Sequence, residues 1–92
     1  MAAEMRARAV FRGTVQGVGF RYTTRRLASA RSARGFVRNL PDGAVELVAE
    51  GRRPEIDSLL DEVDQAMAGY VSAMEVTWSK SRDEFTGFDI RF

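Results

Sequence analysis

The residues best suited to chemistry in this sequence gather between positions 13 and 39. Gly13, Gly17 and Gly19 fall within seven positions, in the run Gly13-Thr14-Val15-Gln16-Gly17-Val18-Gly19-Phe20-Arg21. Closely spaced glycines let a backbone curl with its N–H groups pointing inward, and such a nest beside a helix N terminus holds an anion. Arg21, at the expected helix entry, adds a planar fork of donors matched to phosphate or carboxylate oxygens. The stretch reads as an oxyanion cradle. A plain flexible connection, followed by an arginine that happens to start a helix, is the alternative, and the residues alone leave both open. No Gly-Lys-Ser/Thr follows, so this is not a Walker loop. The glycine spacing and the lack of a parallel βαβ context also exclude a dinucleotide fingerprint.

The chain has no His and no Cys. A disulfide framework, a Cys/His zinc site, a thiol nucleophile and an imidazole base are thereby excluded. A carboxylate-only Mg²⁺ or Ca²⁺ site stays formally open, although no calcium-loop spacing occurs. Glu62 and Asp64 read as a solvated helix face, because i and i+2 positions point apart. Net charge is only +1 but unevenly spread: residues 1–38 hold nine Arg against Glu4, and residues 39–92 hold five bases against twelve acids. A basic half favours an anionic ligand, unless the two halves simply neutralise each other in the fold. Arg25, Arg26 and Arg38 read as solvated positions, Trp78 as core, and Gln16 as a residue that shapes the loop.

These residues need elements to position them, and 92 residues suffice for one domain, 1–92. Met5 to Val15 alternates, with Ala7, Ala9, Phe11 and Val15 on one face, as a half-buried strand does. Phe20, Thr24, Leu27 and Ala28 predict a helix over about Arg21 to Ala33. Gly35 to Asn39 and Ala44 to Ala49 flank the turn Leu40-Pro41-Asp42-Gly43 and predict a hairpin, with Val45 and Leu47 on a different face from Glu46 and Val48. Ile56, Leu59, Leu60, Val63 and Met67 mark a second helix that starts near Pro54 and is stopped by Gly69. Met74, Val76 and Trp78, then Phe88, Ile90 and Phe92, predict two closing strands. The order β-α-β-β-α-β plus a short terminal strand predicts an α+β ferredoxin-like sandwich: an antiparallel sheet with two helices on one face.

Gly13-x-Val15-Gln16-Gly17-Val18-x-Phe20-Arg21 resembles the acylphosphatase signature. Gly35-Phe36-Val37-Arg38-Asn39, followed by Gly43-Ala44-Val45, is similar to that family's second signature. Seven fixed positions agree by chance about once in 10⁹ starts at average residue usage. The likeness runs through Glu50-Gly51 to the Phe88-Asp89-Ile90 ending. Two positions depart from the family's pattern: Ala28 to Arg34 lacks a Gly-Leu pair, and Gly69-Tyr70 stands where Gly-Pro is more usual.

The resemblance implies an enzyme, an acylphosphatase that hydrolyses the carboxyl–phosphate bond of acyl phosphates to a carboxylate and inorganic phosphate. It implies no metal, no cofactor and no covalent intermediate. Arg21 is then the phosphate ligand, Asn39 orients the attacking water, and the backbone amides of Val15, Gln16, Gly17, Val18, Gly19 and Phe20 form the cradle. Inorganic phosphate is expected as product and competitive inhibitor, and a monomer is expected. Apolar runs fall far short of the ~20 residues that span a bilayer, and the start has no apolar stretch of a signal peptide, so a cytoplasmic protein without a membrane partner is expected. Two other readings compete. One is a binding module using the same cradle, alone or within a larger carbamoyl-phosphate-handling protein; the chain's end at Phe92 favours the free-standing enzyme. The other is RNA binding, which Arg34-Gly35-Phe36-Val37 partly echoes, although the motif fails at Val37 and Asn39; no nucleic-acid partner is expected.

Overall fold

Alternation along the first strand sets up the whole sheet. In β1 (Glu4–Gly13), Ala7, Ala9 and Phe11 are fully buried, whereas Arg6, Arg8 and Arg12 project from the opposite face. The structure, a computed structural model, describes residues 3–92; residues 1 and 2 of the expected domain lie outside the described residues. After β1 the chain runs through α1 (Phe20–Ser29), β2 (Arg34–Asn39), β3 (Val45–Arg52), α2 (Arg53–Ala66), β4 (Val71–Lys80) and β5 (Phe88–Arg91). The strand order is β4-β1-β3-β2-β5, so β1 and β3 are central. The β1–β3, β1–β4 and β2–β3 pairs are antiparallel, and β5 joins β2 in parallel. The expected sandwich is present, with a sheet that is mixed rather than wholly antiparallel.

Both helices cover the face that carries Phe11, Val37, Val45 and Leu47. Ile56, Leu59 and Val63 of α2 and Phe20 and Ala28 of α1 close this core, with the rings of Phe11 and Phe20 5.0 Å apart. Helix α1 ends four residues before the expected Ala33. Arg31 turns back, its N–H bonded to the Ala28 carbonyl, and its guanidinium reaches Glu62 and Glu55 on α2. Glu62 is therefore an ion-pair partner, not merely a solvated position. Trp78 packs against the core, as expected, but from edge strand β4 it is only half-buried, with the Arg53 guanidinium 4.2 Å above its ring.

The face away from the helices is not open to water over its whole extent. Because β4 and β5 lie on opposite edges, residues 81–87 must cross four strand spacings, about 19 Å, within the roughly 23–25 Å that seven residues can span. The crossing segment lies on Glu50, a fully buried carboxylate. Glu50 accepts from the backbone N–H of Arg82 (2.7 Å) and from Nε of Arg6 (2.8 Å). Phe85 of the same segment meets Phe36 edge-on, with ring centroids 5.8 Å apart. Glu46, four residues earlier on the same face of β3, is 4% exposed and held between Arg8 and Arg38. Strand β3 is consequently buried on both faces up to Gly51, although its alternation predicts one wet face.

Candidate active site

Strand β1 delivers its last residue, Gly13, to a loop that leads into α1. The backbone there bends through two left-handed residues, Gly17 at φ +78° and Gly19 at φ +81°. Any residue with a Cβ is strained in that region, which is why glycines occupy both places. Gly19 is the N-cap of α1 and offers no side-chain cap, and the first turn of the helix holds no acid. The leading N–H groups of α1 thus keep their donors, and the positive helix end is not offset by a local carboxylate. This end of α1 opens on a cleft of about 160 Å³ lined by Val15, Gly17, Gly19, Phe20, Arg21, Tyr22 and Asn39.

Arg21 and Asn39 reach this cleft from different elements, the first turn of α1 and the end of β2. Gln16 fixes their relation. Its Nε2 donates to the carbonyl oxygens of Leu40 (2.8 Å) and Ala44 (2.9 Å), which tie the loop to the hairpin turn just past Asn39. The loop-shaping role expected for Gln16 is what these bonds provide. Among the expected cradle residues, Val15 and Phe20 are buried anchors and Val18 packs against the core. Gln16 and Val18 are not among the residues that line the cleft, so of the expected cradle only Val15, Gly17, Gly19 and Phe20 meet Arg21 and Asn39 there.

Arg21 is the arginine that lines the cleft, and the ion pairs around it leave it without a carboxylate among the described residues. Arg6, Arg8, Arg12, Arg31, Arg34 and Arg38 all pair with carboxylates, which accounts for most of the basic excess of residues 1–38. Arg25 and Arg26 are exposed on α1, as expected. Arg38 is exposed on its strand, as expected, and its Nε pairs with Glu46 at 2.7 Å. Arg21 makes no ion pair among the described residues. Its Nη1 lies 3.4 Å from the Arg91 carbonyl oxygen, and its guanidinium stacks 4.7 Å over the Phe92 ring. An arginine held flat by an aromatic ring, without a carboxylate, keeps donors for an incoming anion.

Two residues of this neighbourhood are not expected at the site: Tyr22, which lines the cleft, and Phe92, which reads only as part of a strand stripe and covers Arg21. A wider depression of about 380 Å³ at the far end of α1 includes Arg31 and Arg34, both already committed to carboxylates. Among the described residues no group of three or more Asp or Glu side chains is gathered as a metal site, and no helix is long and apolar enough to cross a membrane.

A protein-family model described as Acylphosphatase matches residues 7–90. A curated acylphosphatase of Acaryochloris marina is 46% identical over 84 residues, covering 90% of this chain and 89% of the relative. One of Salinibacter ruber is 43% identical, covering 96% and 94%. The crystal structure of acylphosphatase from Bacillus subtilis superposes with a TM-score of 0.86 at 33% identity, covering 96% of this chain and 99% of that one. Agreement in sequence and in fold extends over nearly the full length of both partners, and the chain belongs to the acylphosphatase family.

Proposed function

We propose that Arg21 and the loop amides from Val15 to Phe20 hold the phosphoryl group of an acyl phosphate, and that Asn39 aims the water that cleaves it. The chain is an acylphosphatase, with acyl phosphate as substrate and a carboxylate and inorganic phosphate as products. The observation that carries the assignment of roles is the shared cleft: an unpaired arginine and an asparagine, eighteen positions apart, line one cavity at an uncapped helix N terminus.

In the reaction the water oxygen bonds to phosphorus while the phosphorus–oxygen bond to the acyl group breaks. The carboxylate departs with the bonding pair. Such transfers pass through a loose transition state, so positioning and charge stabilisation supply most of the acceleration. Arg21 and the amides neutralise the equatorial oxygens. The Asn39 amide both donates and accepts, so it orients water without removing its proton. Among the described residues no Asp, Glu, His or Cys lines the cleft, and we assign the proton of the attacking water to an oxygen of the phosphoryl group that it attacks.

The same reading makes the enzyme independent of metal, monomeric and cytoplasmic. Nucleic acid is disfavoured as a ligand by the sheet face that would stack bases: Phe36 is 8% exposed, beneath Phe85 and the Arg91 guanidinium at 3.9 Å. Hydrolysis of benzoyl phosphate in excess chelator tests the proposal. Full activity is expected, with inorganic phosphate competing against substrate. Activity lost to chelator and restored by divalent ions would contradict it.

A further inference from the structure

The cleft accounts for the phosphoryl group and the water, but not for the acyl group. At about 160 Å³ it holds little beyond a phosphoryl group and a water, so an acyl group larger than acetyl must lie across its rim. Most lining residues are already committed. Val15 and Phe20 are buried in the core, and Gly17 and Gly19 have no side chain. On the reading above, Arg21 and Asn39 face the phosphoryl group and the water. Tyr22 is the lining side chain that remains. It is 59% exposed, large and aromatic, and it follows Arg21 directly in the first turn of α1. One face of the neighbouring guanidinium is occupied by the Phe92 ring. An exposed tyrosine has its ring available to a flat apolar group, and offset or edge-on aromatic pairs are favourable beyond the area they bury.

We propose that Tyr22 is a specificity-determining residue that receives the acyl portion of the substrate and favours aromatic over small aliphatic acyl phosphates. This inference rests on the assignment of the cleft as the acyl-phosphate site. Because specificity is a ratio of kcat/KM values, the different leaving abilities of benzoate and acetate cancel when two enzymes are compared on the same substrate pair.

The test is the ratio of kcat/KM for benzoyl phosphate to that for acetyl phosphate in the wild type, Tyr22→Ala and Tyr22→Phe. Circular dichroism checks that each variant is folded. Loss of one aromatic contact corresponds to a fall in the ratio of about threefold to tenfold in Tyr22→Ala. Tyr22→Phe keeps the ring and is expected to keep the ratio within about twofold of wild type. An unchanged ratio in an active Tyr22→Ala enzyme overturns the assignment of Tyr22 alone. A wild type that cleaves neither compound overturns the reading of the cleft, and this inference with it.

Discussion

The side-chain Nε2 of Gln16 stands 2.8 Å from the carbonyl oxygen of Leu40, the residue that follows Asn39. One amide thus couples the loop before α1 to the strand end that carries Asn39. Both acceptors also receive main-chain donors, Leu40 from Gly43 and Ala44 from Leu40, so the turn keeps its own bonds without Gln16. What Gln16 adds is the registration of the two halves of the site.

Replacing Gln16 with Ala removes two hydrogen bonds, each worth about 0.5–1.5 kcal/mol net. A loss of roughly 1–3 kcal/mol in unfolding free energy is expected, together with at least a tenfold fall in kcat/KM as the two sides drift apart. Gln16→Glu is the harsher change, because a carboxylate would face two carbonyl oxygens. It should be worse than Ala at pH 7 and improve in acid as the carboxyl becomes a donor. Denaturant titration and kinetics at two pH values check this.

Arg21→Ala should lower kcat/KM by about 10²–10⁴, the equivalent of two charge-assisted hydrogen bonds at ~1.5–3 kcal/mol each. Arg21→Lys should recover little, since an ammonium cannot reproduce the planar fork. Stability should hold, because Arg21 supports no ion pair among the described residues. Steady-state kinetics beside a thermal melt separates the two effects.

Much of this site can be read from the residues themselves. The glycine-rich run and Arg21 are short-range patterns whose chemistry follows from residue type, whereas Asn39 stands out only through the family resemblance. Partners contributed from far along the chain are what local patterns miss. Glu46 and Glu50 look like the wet face of a strand, and only the crossing segment 81–87 and the arginines of neighbouring strands explain their burial. The early end of α1 depends on acids of α2, some 24 to 31 residues away in the chain. The parallel pairing of β5 follows from the sheet order, which alternation does not encode. Tyr22 sits on no stripe and in no spacing that marks it. Trp78 follows an alternating stripe, but its place on an edge strand leaves it half-buried.

Glu50 links stability to acid. Burial pushes its pKa up, but hydrogen bonds from the Arg82 backbone, Arg6 and Ser81 outweigh this and hold it below the ordinary carboxylate value. A pKa lower in the folded than in the unfolded chain gives stability that is complete above the unfolded value, about 4.3. That stability is lost as pH falls through the folded value. Glu46, between Arg8 and Arg38, shifts in the same direction against the opposing effect of burial. Wild-type unfolding free energy should therefore fall below about pH 5. Glu50→Gln should cost on the order of 2–3 kcal/mol at pH 7 and visibly less at pH 3. Urea titrations at the two pH values check this; an equal gap at both would remove Glu50 as the source.

The division of labour between Arg21 and Asn39 is tested most directly by measuring kcat and the inhibition constant of inorganic phosphate for Asn39→Ala and Asn39→Asp across pH. If Asn39 holds the water and Arg21 the phosphoryl group, Asn39→Ala keeps its affinity for phosphate within a few-fold while kcat drops by several kcal/mol of transition-state stabilisation, about 10² or more. Asn39→Asp should be as poor or poorer, because an acceptor-only carboxylate repels the bound anion. An active Asn39→Asp enzyme, whose rate falls as pH drops through the carboxylate pKa, would show that the site needs a base and contradict the account.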